Sequence, residues 1–304
     1  MTHGGTWIRS VDKQESTASL QILHHLSHTL RVYSVHCHPN QSHLASYNQI
    51  DLDMPRTFPT HAFFARPSSL GQTELRRVLS AYVSWEVMCF STQPQQRSGY
   101  VQGMNMIAGH LLKHVEEEQA FRLLCHLMVN PKYNLQSVLR QGMGGLYLRL
   151  HVVQVLLEEH LPSVAQSLEQ ATVPLLFFCT EWVLTLFSYV FEGQFLNTFF
   201  DLFLVQGWCA FYQVTLALLE SVETKLLEAA SGDSHDKQAN VLAIVKGIGR
   251  RSVKYEDEDK DEDEDEDENS QQVFLRAQQF ELSNLNRIEQ LYYINIETPT
   301  STGT

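Results

Sequence analysis

The feature that most constrains this chain is the spacing of its apolar residues, which is helical along nearly the whole length. Leu75, Val78, Tyr82, Trp85 and Cys89 fall at i, i+3, i+7, i+10 and i+14. Phe121, Leu124 and Met128 keep the same interval, as do Leu146, Leu150, Val153 and Leu157, and later Phe195, Phe199 and Leu202. Such spacing lines one face of a helix. Sustained period-2 alternation and Asn-Gly hairpin signals are missing. Breaks fall at residues that favour turns: Pro39-Asn40, Pro55 and Pro59, Pro67 to Gly71, Asn130-Pro131, and Gly142 to Gly145. Pro162 and Pro174 fit first helical turns. The expected fold is all-α, a single large domain of ten or more short helices, with no repeat at solenoid periods.

Charge is concentrated in one place. The formal net charge is -13, but residues 256–268 read EDEDKDEDEDEDE, twelve acids and one lysine, so the remainder carries only -2. No basic face is left for nucleic acid. By composition the acidic run is a solvated, disordered insertion over 255–270. Beyond it an amphipathic pattern returns, with Leu282, Leu285, Ile288 and Tyr292 on one face. That stripe implies a core to return to, so the run is read as an insertion within the domain.

The five cysteines have no C-x-x-C spacing, which favours reduced thiols. The first residues, MTHGGTWIRSVDKQ, lack the apolar stretch of a signal peptide. Residues 173–191 approach membrane-spanning length, but Glu181 sits near their middle. The next apolar stretch, 195–219, is broken by Asp201, Gln206 and Gly207. Both are expected to be buried helices of a globular core. His24 with His28, and His110 with His114, have the i, i+4 spacing of helical metal ligands, but no third ligand accompanies either pair. His36-Cys37-His38 is equally unsupported, so no metal site is expected. No G-x-x-x-x-G-K-[ST] loop exists for binding a nucleotide.

Two short segments could carry chemistry: Ile50-Asp-Leu-Asp53-Met-Pro-Arg56-Thr-Phe-Pro59 and Tyr100-Val-Gln102-Gly103-Met104-Asn105-Met-Ile-Ala-Gly109. Taken alone, Arg56 reads as a surface ion pair with Asp53, and Gln102 as a helix-end residue. Taken together they suggest phosphoryl transfer. A guanidinium offers permanent charge and a rigid fork of donors. A carboxamide can accept from an attacking water and donate to a phosphoryl oxygen. Gly103 allows close backbone approach beside the glutamine.

These segments resemble the two signature motifs of the TBC domain, the catalytic domain of Rab GTPase-activating proteins. The form I-x-x-D-x-x-R is matched by Ile50, Asp53 and Arg56. The form Y-x-Q-G-M is matched by Tyr100, Gln102, Gly103 and Met104. Leu157 to Pro162, Trp182 to Tyr189, Phe200 to Trp208 and residues 273–293 are further family-like stretches. The resemblance runs from about residue 44 to 293, leaving a divergent segment 1–43 and a tail 294–304.

The resemblance implies a GTPase activator rather than an enzyme in its own right. Arg56 and Gln102 would enter the nucleotide site of a GTP-bound Rab-family GTPase in trans. Ile50, Asp53, Tyr100, Gly103, Met104 and Asn105 would support the two loops. It implies no cofactor of this chain, because GTP and magnesium belong to the partner. The implied setting is vesicle trafficking, in the cytoplasm and peripherally on endomembranes through the Rab. The alternative from another class is a non-catalytic Rab-binding adaptor with the same fold.

Overall fold

The computed structural model describes residues 44–231, 236–249 and 262–297. Among them are fourteen α-helices, a few short 3-10 turns and no β-strand, so the all-α expectation holds. The segment 1–43, and with it His24, His28 and His36-Cys37-His38, lies outside the described residues. So do residues 255–261 of the acidic run and the tail from 298, whereas residues 262–270 of the run, expected to be disordered, are helical, and the last helix continues through 294–297 of the expected tail.

The chain divides into two compact units. The first comprises the described residues up to Gly145 together with Leu184–Tyr189. It contains α1 (Leu44–Asp53), α2 (Leu70–Cys89), α3 (Met104–Leu112), α4 (Glu117–Val129) and α5 (Leu135–Leu139). The α2 helix is its hub, packing on α1, α3 and α4. Ser69 caps the start of α2 by accepting from Gln72 N at 3.3 Å. Leu75, Val78, Leu79, Tyr82, Val83 and Trp85 are all buried. Burying each large apolar side chain contributes about 1.5–3 kcal/mol before entropy is charged against it. Cys89, the last residue of the expected stripe, is exposed because the helix ends there and Phe90 leaves helical geometry.

The second unit comprises Leu146–Val183 and the residues from Val190 onward. Its helices include α6 (Gly144–His160, which begins just inside the first unit), α7 (Pro162–Gln170), α9 (Gly193–Gln206) and α10 (Trp208–Glu220). They continue with α11 (Glu223–Ser231), α12 (Lys237–Gly247), α13 (Glu262–Ala277) and α14 (Leu285–Glu297). Pro162 opens α7, and the break between α9 and α10 falls at Gly207. Phe274 and Ala277, at the end of α13, are buried, and α13 packs on α9 and α10. At the centre, Arg149 donates to Tyr212 Oη at 3.0 Å, pairs with Glu289 of α14, and lies 4.5 Å over the Trp208 ring.

The apolar stretch 173–191 is more broken than periodicity suggests. It forms a 3-10 turn over Leu175–Phe177, the short α8 (Cys179–Thr185), and a turn through Leu186 and Phe187, both at positive φ. Leu176, Phe177 and Tyr189 are exposed. No helix among the described residues is long and apolar enough to cross a membrane.

Candidate functional site

Both motif segments lie in the first unit. Ile50 anchors α1 in the core with no exposure, and one turn later the helix tightens into a 3-10 turn, Met54–Arg56. Pro55 suits that turn because its φ is already set and it needs no amide donor. Asp53 stands at the junction and is only 1% exposed. Its side chain makes no helix-capping bond, so it acts as a brace instead. One carboxylate oxygen, Oδ1, takes the Arg56 guanidinium in an ion pair, while the Arg56 side chain stays 56% exposed.

The second segment enters from the other side. Tyr100 is buried, Gln102 is exposed, and Gly103 caps α3 with φ at +110°. A side chain on Gly103 would be strained by that φ and would place a Cβ 3.1 Å from Leu184 O. Met104 is wholly buried, and its sulfur receives Val101 N–H at 3.4 Å. Gly109, one face further along α3, allows the helix to lie against the arginine segment. A Cβ there would meet Thr57 Cγ2 at 2.9 Å and the Phe58 ring at 3.1 Å.

A buried polar cluster joins the two segments. The Tyr100 hydroxyl donates to Asp53 Oδ2 at 2.6 Å and lies 3.1 Å from Asn105 Oδ1. Asn105 Oδ1 accepts Gly103 N–H at 3.0 Å, which fixes its amide so that Nδ2 donates to Thr57 Oγ1 at 2.8 Å. The Thr57 hydroxyl in turn donates to the Asp53 carbonyl at 2.8 Å. Burial first, then the hydrogen bond to Asp53, pushes the Tyr100 phenol well above its ordinary range, and the Arg56 charge opposes this only in part. Tyr100 therefore stays a donor at any working pH. Asn105 is 4% exposed and belongs inside this cluster.

Chemically, the arrangement presents an exposed cation and an exposed carboxamide on buried, hydrogen-bonded roots. Asp53 and Tyr100 are buried and spend their polar atoms on neighbouring side chains, so they hold the backbone rather than offer a reactive group. The His110 and His114 rings lie tilted against each other with centroids 4.8 Å apart, and no group of three or more metal-ligating side chains occurs among the described residues.

Three residues of consequence escaped the motifs: Thr57, Glu86 and Ser98. Glu86 carried a signal. It follows Leu75, Leu79 and Tyr82 at i+11, i+7 and i+4, so an acid occupies a core position of the α2 stripe. It is fully buried.

Comparison with known proteins bears on the same region. The family model for the Rab-GTPase-TBC domain matches residues 23–227. The chain is 32% identical over 176 residues to Rab GTPase-activating protein tbc-11 of Caenorhabditis elegans, covering 58% of this chain and 18% of that protein. It is 32% identical over 184 residues to TBC1 domain family member 4 of Mus musculus, covering 60% of this chain and 13% of that one. The chain thus spans less than a fifth of the length of either relative. Among solved structures, the Chlamydomonas flagellar RabGAP TBC domain superposes with a TM-score of 0.59 at 20% identity, over 91% of this chain and 78% of that one. With two thirds of its length matched by one family model and its all-helical fold shared with a solved TBC domain, the chain belongs to the Rab-GTPase-TBC domain family.

Proposed function

We propose that this protein accelerates GTP hydrolysis on a Rab-family GTPase by inserting Arg56 and Gln102 into the partner's nucleotide site. The observation that carries this reading is the pairing of exposure with anchorage. Both side chains reach solvent, and the Asp53–Tyr100–Asn105–Thr57 cluster ties their roots together. Arg56 supplies a fixed positive fork where charge develops on the transferred phosphoryl group and its bridging oxygen. Gln102 orients the attacking water, accepting its proton side and donating to a phosphoryl oxygen. To reach the phosphate, the guanidinium exchanges Asp53 Oδ1 for phosphoryl oxygens, trading one anionic partner for another. GTP and magnesium are the partner's, so this chain contributes donors and no cofactor.

An arginine supplied in trans is worth about 10³–10⁵ in hydrolysis rate. By ending the GTP-bound state of a Rab, the protein regulates vesicle trafficking, working in the cytoplasm and meeting endomembranes through that Rab. The test is single-turnover phosphate release from a panel of purified, GTP-loaded Rab proteins with and without this protein. Acceleration of one or more by orders of magnitude is expected. Binding to GTP-loaded Rab without faster release would replace this reading with that of an adaptor.

A further inference from the structure

The α2 helix delivers a carboxylate to the core at Glu86. Burying an anion is costly unless donors surround it, and here five converge on it. Oε1 accepts from Ser98 N at 2.7 Å, Ser98 Oγ at 2.8 Å, Gln136 Nε2 at 2.9 Å and Tyr82 Oη at 3.0 Å. Oε2 accepts from Gly99 N at 2.7 Å. Two of these donors are consecutive backbone amides in the loop between α2 and α3, and Gln102 lies three residues past the second of them.

We propose that Glu86 is a positioning residue for Gln102, acting by clamping the backbone at Ser98 and Gly99. This rests on the GTPase-activating reading of Gln102. On the upstream side the stretch is held by Glu86, and Tyr100 N–H adds a 3.4 Å bond to Ser46 Oγ of α1. On the downstream side Gly103 N–H is held by Asn105, and between them the Tyr100 hydroxyl is held by Asp53. Only Val101 and Gln102 lie between Tyr100 and Gly103, so pinning both ends removes the slack that would let the carboxamide wander. A displacement of about 1 Å at a reacting group costs on the order of 10²-fold in rate. An acceptor-only carboxylate suits the task because every neighbour it faces is a donor.

Glu86→Gln keeps the shape but turns one oxygen into an NH2 group, so one of the two atoms facing the loop amides becomes a donor against donors. The experiment compares wild type, Glu86→Gln, Gln102→Ala and the double variant in phosphate release from GTP-loaded Rab proteins, alongside hydrogen exchange of the peptide covering residues 97–105. The expected loss for Glu86→Gln is about ten- to a hundredfold in kcat, with half-saturation by the Rab unchanged. In the Gln102→Ala background that loss disappears, because the clamp has nothing left to position. Exchange at 97–105 speeds up while that of the later turns of α3 holds. Equal loss in both backgrounds, or unchanged exchange at 97–105, overturns the proposal. Should Glu86→Gln not fold, Ser98→Ala removes a single donor and is expected to show the same pattern at several-fold size. If wild type accelerates no Rab, the functional reading fails on its own, and the exchange arm still decides whether Glu86 holds the loop.

Discussion

The Tyr100 hydroxyl donates to Asp53 Oδ2 at 2.6 Å, and this one buried bond joins the turn that ends in Arg56 to the turn that carries Gln102. Forty-seven residues separate the two side chains in the chain. Tyr100→Phe removes the bridge and leaves Asp53 Oδ2 with only Gln49 Nε2 at 3.4 Å. An under-satisfied buried acceptor costs about 1–3 kcal/mol, to be read from urea denaturation. Loosening both roots at once is expected to lower hydrolysis of Rab-bound GTP by about tenfold or more. A Phe variant with wild-type rate and stability would show the bridge to be dispensable.

Arg56→Lys keeps the charge and loses the fork. Lysine cannot span two phosphoryl oxygens in a plane, so most of the acceleration, about 10³-fold, is expected to vanish while binding to GTP-loaded Rab persists. Phosphate release and a pull-down with the same Rab measure the two separately. An unimpaired rate with lysine would count against the arginine's role.

Gly103→Ala tests the backbone rather than the chemistry. A φ of +110° disfavours any side chain, and the new Cβ would press on Leu184 O at 3.1 Å. Strain of this kind costs about 1–3 kcal/mol. Thermal or chemical denaturation should show that loss, whether or not activity is assayed.

Acid should destabilise the fold through buried histidines. Burial, then the charges of His114 and Lys113, holds the His110 imidazole well below its ordinary pKa. His126 is lowered by burial and by Lys132. Both take up their proton at lower pH in the fold than in the unfolded chain, which protonates below about pH 6.5. Their contribution is therefore intact above that pH and erodes as pH falls below it, by up to about 1.4 kcal/mol per pH unit for each histidine. Unfolding free energies measured from pH 7.5 to 5 should fall more steeply for wild type than for His110→Gln. Identical slopes would remove His110 as a cause.

In the second unit, Arg149 is 7% exposed at its side chain and holds Tyr212 and Glu289 together over Trp208. Arg149→Met leaves the Glu289 carboxylate, 31% exposed, without its cation. The expected cost is about 2–4 kcal/mol, below that of a fully buried pair because Glu289 retains some water. Arg149→Met together with Glu289→Gln should recover part of it. No recovery would mean that the guanidinium acts through Tyr212 and Trp208 rather than through Glu289.

The segments around Arg56 and Gln102 stand out in the sequence because each is a short motif whose neighbours are local: a proline-stiffened turn after α1 and a glycine-capped entry to α3. The helices were legible for a similar reason, since an apolar stripe at helical spacing can bury itself in only one conformation. The stretch 173–191, expected as buried helix, is broken in the structure because apolar residues do not announce positive φ. Leu186 and Phe187 adopt it where the chain turns, with nothing in their side chains to mark the turn.

What the sequence alone determined was an all-helical chain carrying a forked cation and a carboxamide on separate turns. What only the tertiary structure decided was how those turns are held. Glu86 meets Ser98, Gly99 and Gln136, and Asp53 meets Tyr100, across sequence separations that no local pattern encodes. The reason is energetic: a buried carboxylate must find donors wherever packing brings them, and packing is a property of the whole core rather than of any one segment.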